Sequence, residues 1–528
     1  MRRCFAVFAL TAALVAGHGV AWAGVPSAQA SEVAWLFAAT DADIERAFAR
    51  ARNERKSVLV YWGAKWCPPC NQLKATLFNR QDFIERSGSF ISVNIDGDLP
   101  GAQKLGARFK VRGYPTLILF RGDGAEITRL PGEVDAPQVM QLLQLGLTGG
   151  RPVLSVLADA RAGKTLSGNE WRLLAYYSWE TDEQRLVPSA ELADLLAALA
   201  AASPAGIPEV SSRLWLKAIA ARDAGKGGKP EAALRERVHN LLNDAAAARA
   251  HMDVLTGSAA SIAKVLAPRP GAERLALLAA FNSALTRLEA DATLSRADRL
   301  NALQARVDLA RLDQAKDVFQ PVLPRALVTE VRAHVARVDR EITDGYERQA
   351  VITAAADLLG QCGLWRESDE LLKANLSKSH SPYYLMSQLA GNARKRGSRG
   401  EALRWYEAAF ERSEGSATRL QWGASYASAL VDLAPRDFAR IEAVVSTILQ
   451  EATLQPNSFY ERSARSLLRI GGKLASWNGK RERSDVMLRL QKRVDEMCAK
   501  LDAGDPQRAS CEGLLAPGHR ASNAASRS

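Results

Sequence analysis

Residues 61–70 read YWGAKWCPPC, and what Cys67 and Cys70 do here decides how the first part of the chain is read. The run just before them, Ser57–Gly63 (SVLVYWG), is continuously β-branched and aromatic, the pattern of a central strand buried on both faces. Pro68 and Pro69 then fall in the first turn of a helical stretch, where an N–H would have no intrahelical acceptor anyway. A cysteine at such a helix start meets unpaired N–H groups and the positive end of the helix dipole, and both favour the thiolate. Two cysteines at this spacing can be a redox couple, half of a metal site or a structural disulfide. Zinc needs four ligands; no second Cys-x-x-Cys or His-x-x-x-His lies nearby and the 6 histidines are scattered, so no metal is expected. A structural disulfide has no need of two prolines between its sulfurs. The redox reading is preferred, with Cys67 as the more exposed nucleophile, Cys70 as the resolving thiol, and Trp66, Pro68 and Pro69 shaping the site.

Working outward, residues 41–55 carry Ile44, Ala47, Phe48 and Ala51 at helical spacing, with Asp41 as the expected cap. Gln72–Phe78 continues the helix after Cys70. Phe90–Ile95 reads as a strand, Leu99–Phe109 as a helix and Thr116–Phe120 as a strand. Gly122-Asp123-Gly124 turns the chain into Glu126–Leu130, and Ala136–Leu147 closes with a helix; Val33–Phe37 is a further candidate strand. Strands alternating with helices and ending in a hairpin predict a mixed sheet covered on both faces.

This order, with Trp66-Cys67-Pro68-Pro69-Cys70 at a strand-to-helix junction and Val111-Arg112-Gly113-Tyr114-Pro115-Thr116 before a later strand, resembles the thioredoxin and protein disulfide isomerase family over residues 31–148. The resemblance implies an α/β thioredoxin fold, a redox-active Cys67–Cys70 disulfide and a cis-proline segment. There Tyr114 and Pro115 would bind an extended substrate strand. The sequence departs from the family at one place: the buried acid six residues before the first cysteine is Tyr61 here, and the lysine that accompanies it is Ser92. Losing both together is coherent, because losing one would bury an unpaired charge. Water, Lys65 or the substrate would then take the proton of Cys70.

The N-terminus bears on compartment. Met1-Arg2-Arg3, an apolar core at residues 4–17 and Ala21-Trp22-Ala23 read as a signal peptide over residues 1–23, with cleavage after Ala23 or, as second choice, Ala30. That implies export to the periplasm, and the mature sequence has no transmembrane stretch. Of the 6 cysteines, Cys4 leaves with the signal; Cys498 and Cys511 enclose a short loop and are expected as a structural disulfide, with Cys362 a buried free thiol. A formal charge of +12 without a basic block interleaved with aromatics argues against nucleic acid, and 47% hydrophobic with 24% charged residues is an ordinary globular balance.

After a linker expected at 149–155, Ala, Leu, Arg and Glu dominate and β-branched runs vanish, so the rest is read as all-α. Residues 156–350 form a helical region and 351–515 an α-solenoid, followed by a disordered tail at 516–528. Residues 352–376 and 386–410 align at an offset of 34, matching Gly363 with Gly397, Leu371 with Trp405, Leu372 with Tyr406 and Leu376 with Phe410. The pattern resembles tetratricopeptide repeats, whose stacks form concave surfaces for proteins. Leu371, Leu372, Trp405, Tyr406 and Phe410 are expected between helices. The whole then reads as an exported thiol–disulfide oxidoreductase that needs no cofactor and acts on protein thiol and disulfide clients. A membrane or periplasmic redox partner would recharge it, and a helical-repeat region would recruit clients. The rival reading is a periplasmic adaptor whose thioredoxin module only docks the repeats.

Overall fold

A computed structural model describes residues 32–515, apart from 112, 133–134, 180, 183–185, 223–231, 316 and 480–483. The expected signal peptide, Arg112 and the expected tail lie outside the described residues. The first part runs β1 (Leu36–Phe37), α1 (Asp41–Glu54), β2 (Ser57–Gly63), α2 (Pro68–Leu73), α3 (Gln81–Ser87), β3 (Phe90–Asp96), α4 (Ala102–Phe109), β4 (Thr116–Phe120), β5 (Glu126–Leu130) and α5 (Ala136–Leu147). The sheet order is β1-β3-β2-β4-β5, with β1, β3 and β2 parallel and β4 and β5 antiparallel to their neighbours. This is the mixed sheet of a thioredoxin fold.

Side-chain alternation divides the central strand between two cores. Val58, Val60 and Trp62 pack with Ile44, Phe48 and Leu105 of α1 and α4. Leu59 and Tyr61 face Cys67, Cys70, Leu73 and Leu143 of α2 and α5. Local details differ from the sequence expectation. Thr40, one residue earlier than Asp41, caps α1 in a reciprocal capping box with Asp43. α4 starts at Ala102, because Leu99-Pro100-Gly101 is spent in a turn. After Leu73 the helix widens into a π-helical turn, Lys74–Phe78, and α3 follows where no element was expected.

The sheet's core does not stop at residue 148. α6 (Val153–Arg161), α7 (Gly168–Ala175), α8 (Leu192–Ala202) and α9 (Pro208–Ala220) share one buried cluster with Leu119, Ile127 and Leu143. Val153 of α6 begins this packing inside the stretch where a linker was expected, and Val156 and Leu157 continue it. The outer edge of β5 is also covered: Ser178 N–H donates to the Arg129 carbonyl at 2.9 Å, and Val111 bridges to Asp182. An exposed strand edge is thereby removed.

From Ala232–Asn243 to Gln507–Glu512 the chain is all helical among the described residues, in successive cores that share side chains at their borders, such as Leu376, Tyr384 and Trp405. Two hairpins carry the 34-residue offset: Gly345–Gln361 with Trp365–Asn375, and Pro382–Lys395 with Arg399–Arg412. Gly363 and Gly397 turn them at φ of 77° and 76°, the left-handed conformation that glycine adopts without strain. Leu371, Leu372 and Phe410 are buried between helices, whereas Trp405 and Tyr406 are half-buried. The fold is therefore an α/β thioredoxin sheet followed by a large helical region of stacked hairpins. Among the described residues no helix is long and apolar enough to cross a membrane.

Candidate functional site

The carboxyl ends of parallel strands leave a crevice where loops can carry chemistry, and the WCPPC segment sits at that end of β2. Cys67 is the N-cap of α2, with Pro68 and Pro69 in its first turn; its Sγ accepts the Cys70 N–H at 3.2 Å. Cys67 and Cys70 form a disulfide with Cα atoms 5.2 Å apart. Pro69 is exposed, Pro68 and Trp66 are half-buried, Cys67 is 3% exposed and Cys70 fully buried. Asn71, which the sequence reading passed over, staples the loop to the helix: its buried Nδ2 donates to the carbonyls of Lys65 and Cys67, both at 2.8 Å.

The Tyr114–Pro115 peptide is cis and precedes β4. Tyr114 lies in the same aromatic group as the redox segment, stacked on Trp62 at 5.9 Å and edge-on to Trp66 at 6.3 Å. Its hydroxyl accepts from Gln103 Nε2 at 3.2 Å.

Tyr61 is buried beneath the site, its ring 4.9 Å from that of Phe78, and its hydroxyl lies over Gly63, where a Cβ would collide with it. Among the described residues that hydroxyl has no hydrogen-bond partner. Burial, and next the charge of Asp96, push its pKa up, so the phenol stays protonated and does not replace a carboxylate as base. Tyr61 pairs in register with Asn94, and Ser92 with Leu59, so the two substituted positions are diagonal neighbours on one face. Asp96, opposite Gly63 at the end of β3, is the carboxyl the sequence reading missed; burial and then Asp98 push its pKa up.

The largest departure from expectation surrounds Trp66. Four alternate helices of the helical region each bring side chains to it. Gln349 Nε2, from Gly345–Gln361, donates to its carbonyl at 3.2 Å. Tyr384, from Pro382–Lys395, stacks on its ring at 5.7 Å. From Ser416–Leu433, Thr418 Oγ1 accepts its indole N–H at 2.8 Å and Trp422 meets it edge-on at 5.1 Å. From Glu461–Trp477, the Arg462 guanidinium sits 5.3 Å from its ring and 5.1 Å from that of Tyr114. Arg462 also pairs with Asp98, which accepts from Thr418 as well, and Ser416 N–H donates to the Asp98 carbonyl at 3.0 Å. Gln72 of α2 donates to Asp298 at 2.8 Å, and Lys65 meets Glu414 at 2.9 Å. These four helices of the stack thus meet the chain's own WCPPC segment. Elsewhere in the helical region, Cys498 and Cys511 are disulfide-bonded with Cα atoms 5.7 Å apart, and Cys362 is a buried free thiol whose pKa burial pushes up to about 11.

A disulfide at the N-terminus of the helix after a central strand, with a cis proline before the next antiparallel strand, defines a thioredoxin-fold domain. The description "thioredoxin-like domain" matches residues 44–146. The chain is 37% identical over 87 residues to a thioredoxin of Chlamydia caviae, covering 16% of this chain and 78% of that one. The chain belongs to the thioredoxin family. It is also 31% identical over 115 residues to thiol:disulfide interchange protein DsbD 2 of Pseudomonas aeruginosa, covering 21% of this chain and 19% of that one. With protein disulfide-isomerase 1 of Caenorhabditis elegans it shares 34% over 77 residues, 15% of this chain and 16% of that one. The chain thus spans about a fifth of the length of the thiol:disulfide interchange proteins it matches.

Proposed function

We propose that this protein is an exported thiol–disulfide oxidoreductase acting on protein clients through Cys67 and Cys70. The observation that carries the reading is the Cys67–Cys70 disulfide at the N-terminus of α2, beside the cis Tyr114–Pro115 peptide. In the reducing direction the Cys67 thiolate attacks one sulfur of a client disulfide. A mixed disulfide forms and the other client sulfur leaves as a thiolate. Cys70, its proton passed to solvent or to that thiolate, attacks Cys67 Sγ; the Cys67–Cys70 bond closes and the client leaves with two thiols. Two electrons pass to the client, and a reduced dithiol partner in the periplasm or its membrane restores the pair. The reverse sequence oxidises a client dithiol and needs a disulfide partner instead. Export is supported by the apolar, signal-like residues 4–17 and by the Cys498–Cys511 disulfide, which suits an oxidising compartment.

The rival, an adaptor whose thioredoxin module only docks the helical region, is favoured by one observation: the redox face packs on that region and Cys67 is 3% exposed. The test is disulfide exchange by the full chain on a generic protein disulfide, with insulin as probe. Activity that vanishes in Cys67→Ser, with Cys70→Ser accumulating a client mixed disulfide, supports the enzyme. Equal, measurable activity in wild type and Cys67→Ser refutes the assignment of Cys67.

A further inference from the structure

We propose that the helical region is an autoinhibitory cap on the redox pair, latched through Trp66, and that a protein client reaches Cys67 only after this cap swings away. The inference rests on the oxidoreductase reading above and concerns the regulation of the same site.

Thiol–disulfide exchange needs an incoming sulfur in line with the bond it breaks, so the attacked sulfur must be open to a group as large as a client chain. Cys67 is 3% exposed and Cys70 fully buried. Trp66 beside them is held from four helices at once, its carbonyl by Gln349 and its ring by Tyr384, Thr418 with Trp422, and Arg462. Tyr114, where an extended client would lie, is covered by the Arg462 guanidinium. No room remains for a client strand while these contacts stand.

The chemistry of the contact is that of a latch and not of a core. A permanent interface of this kind would be dominated by apolar packing. Here the Trp66 ring lies against the aromatic rings of Tyr384 and Trp422, but it is tied down by a chain of polar contacts: the Trp66 indole donates to Thr418, Thr418 donates to Asp98, and Arg462 pairs with Asp98. Arg462 N–H further donates to Gln103 Oε1 at 2.9 Å, and Gln103 reaches Tyr114. The rim is ionic and open to water: Lys65 and Glu414 meet at 2.9 Å with side chains 49% and 67% exposed. The polar groups exchange their partners for water when the interface parts, so opening exposes the aromatic faces around Trp66 but strands no buried hydrogen-bonding group. The redox module stays anchored meanwhile by the core it shares with α6–α9.

The experiment uses the full chain. It is reduced with a small phosphine, freed of reductant and challenged with a polymer-linked maleimide. Modification of Cys67 is followed by peptide mass, and insulin reduction is assayed in parallel. Thr418→Val removes the acceptor for Trp66 and the donor to Asp98 with little change of shape; Arg462→Lys keeps the charge and loses the fork; Arg404→Ala, on an exposed outer position, is the control. The two latch variants should speed Cys67 modification about ten- to hundredfold, the shift in open population that follows loss of a hydrogen bond to a charged group. Arg404→Ala should match wild type. Far-UV circular dichroism confirms that each variant is folded, and the mildness of Thr418→Val protects the test if Arg462→Lys is not. Wild type already modified as fast as folded Thr418→Val would overturn the cap while leaving the enzyme reading intact. Faster modification in the latch variants without insulin reduction would uphold the cap and sink the enzyme reading.

Discussion

Replacing Arg129 by methionine should destabilise the chain more than almost any other single change in its sheet. The guanidinium is 0% exposed. It donates to the carbonyls of Phe109 and Lys110, both at 2.8 Å, to the Thr181 carbonyl at 3.0 Å, and to both oxygens of Glu126 at 3.3 and 3.2 Å. One side chain thereby bolts together the end of α4, the edge strand β5 and the segment that seals that edge. Methionine fills much of the volume but leaves Glu126, itself 4% exposed, with the Tyr177 hydroxyl at 3.1 Å in place of a cation. Breaking a buried pair from one side costs about 3–5 kcal/mol, and the three carbonyls are left without this donor. Urea unfolding of the full chain, followed by near-UV circular dichroism, measures the loss. The double variant Arg129→Met with Glu126→Leu removes the Arg129–Glu126 pair, leaving the buried Asp182, 3.9 Å from the guanidinium, as in the single variant, and should recover at least about 1 kcal/mol relative to the sum of the singles. A loss below about 1 kcal/mol in Arg129→Met, or additivity in the double variant, would refute the argument that this pair closes the sheet edge.

Tyr61→Phe should leave stability unchanged or slightly raised, since the hydroxyl it removes is buried without a partner among the described residues; urea midpoints for the two chains decide it. His251 is 1% exposed, and burial, then the charge of Arg213, hold its pKa down to about 4 while Asp253 opposes them. Its folded pKa lies below the unfolded value near 6.5, so the unfolded chain takes up the proton first. The stability from the neutral ring is complete above about pH 6.5 and drains by up to about 3 kcal/mol as pH falls toward 4. His251→Gln should flatten that part of a urea-midpoint profile. Leu372→Ala, at a 0% exposed position, should cost about 2–5 kcal/mol, and Trp405→Ala, whose ring is only half-buried, about 1–2 kcal/mol. Equal losses would mean that the hairpins are packed otherwise than described.

What the sequence disclosed about this protein was whatever its chemistry requires to be local. A redox pair must stand at a helix start, so strand, cysteines, prolines and helix fall within one short run. The β4–β5 hairpin is marked by its glycines in the same way. α3 escaped because its N-cap, Arg80, makes no side-chain cap and its 7 residues are too few to establish a period. Arg129 escaped because a lone arginine in EITRL looks like a solvated edge position until Ser178, Thr181 and Asp182 are seen to meet it. The shared core of α6–α9 escaped for a related reason: glycine and proline at 149–152 signal a break in secondary structure, and a core can run on across such a break. Trp66 was half legible. Its place in the motif could be read, but its partners at 349, 384, 418 and 462 lie hundreds of residues away. Their only signature is that they fall on every second helix, about one repeat apart. Large aromatic and polar side chains on the inner face of such a stack mean that the face is occupied. Sequence suggested a client as the occupant, because repeats commonly bind other proteins. In this chain Trp66 lies against these four helices, and under the cap proposed above a client must first displace it.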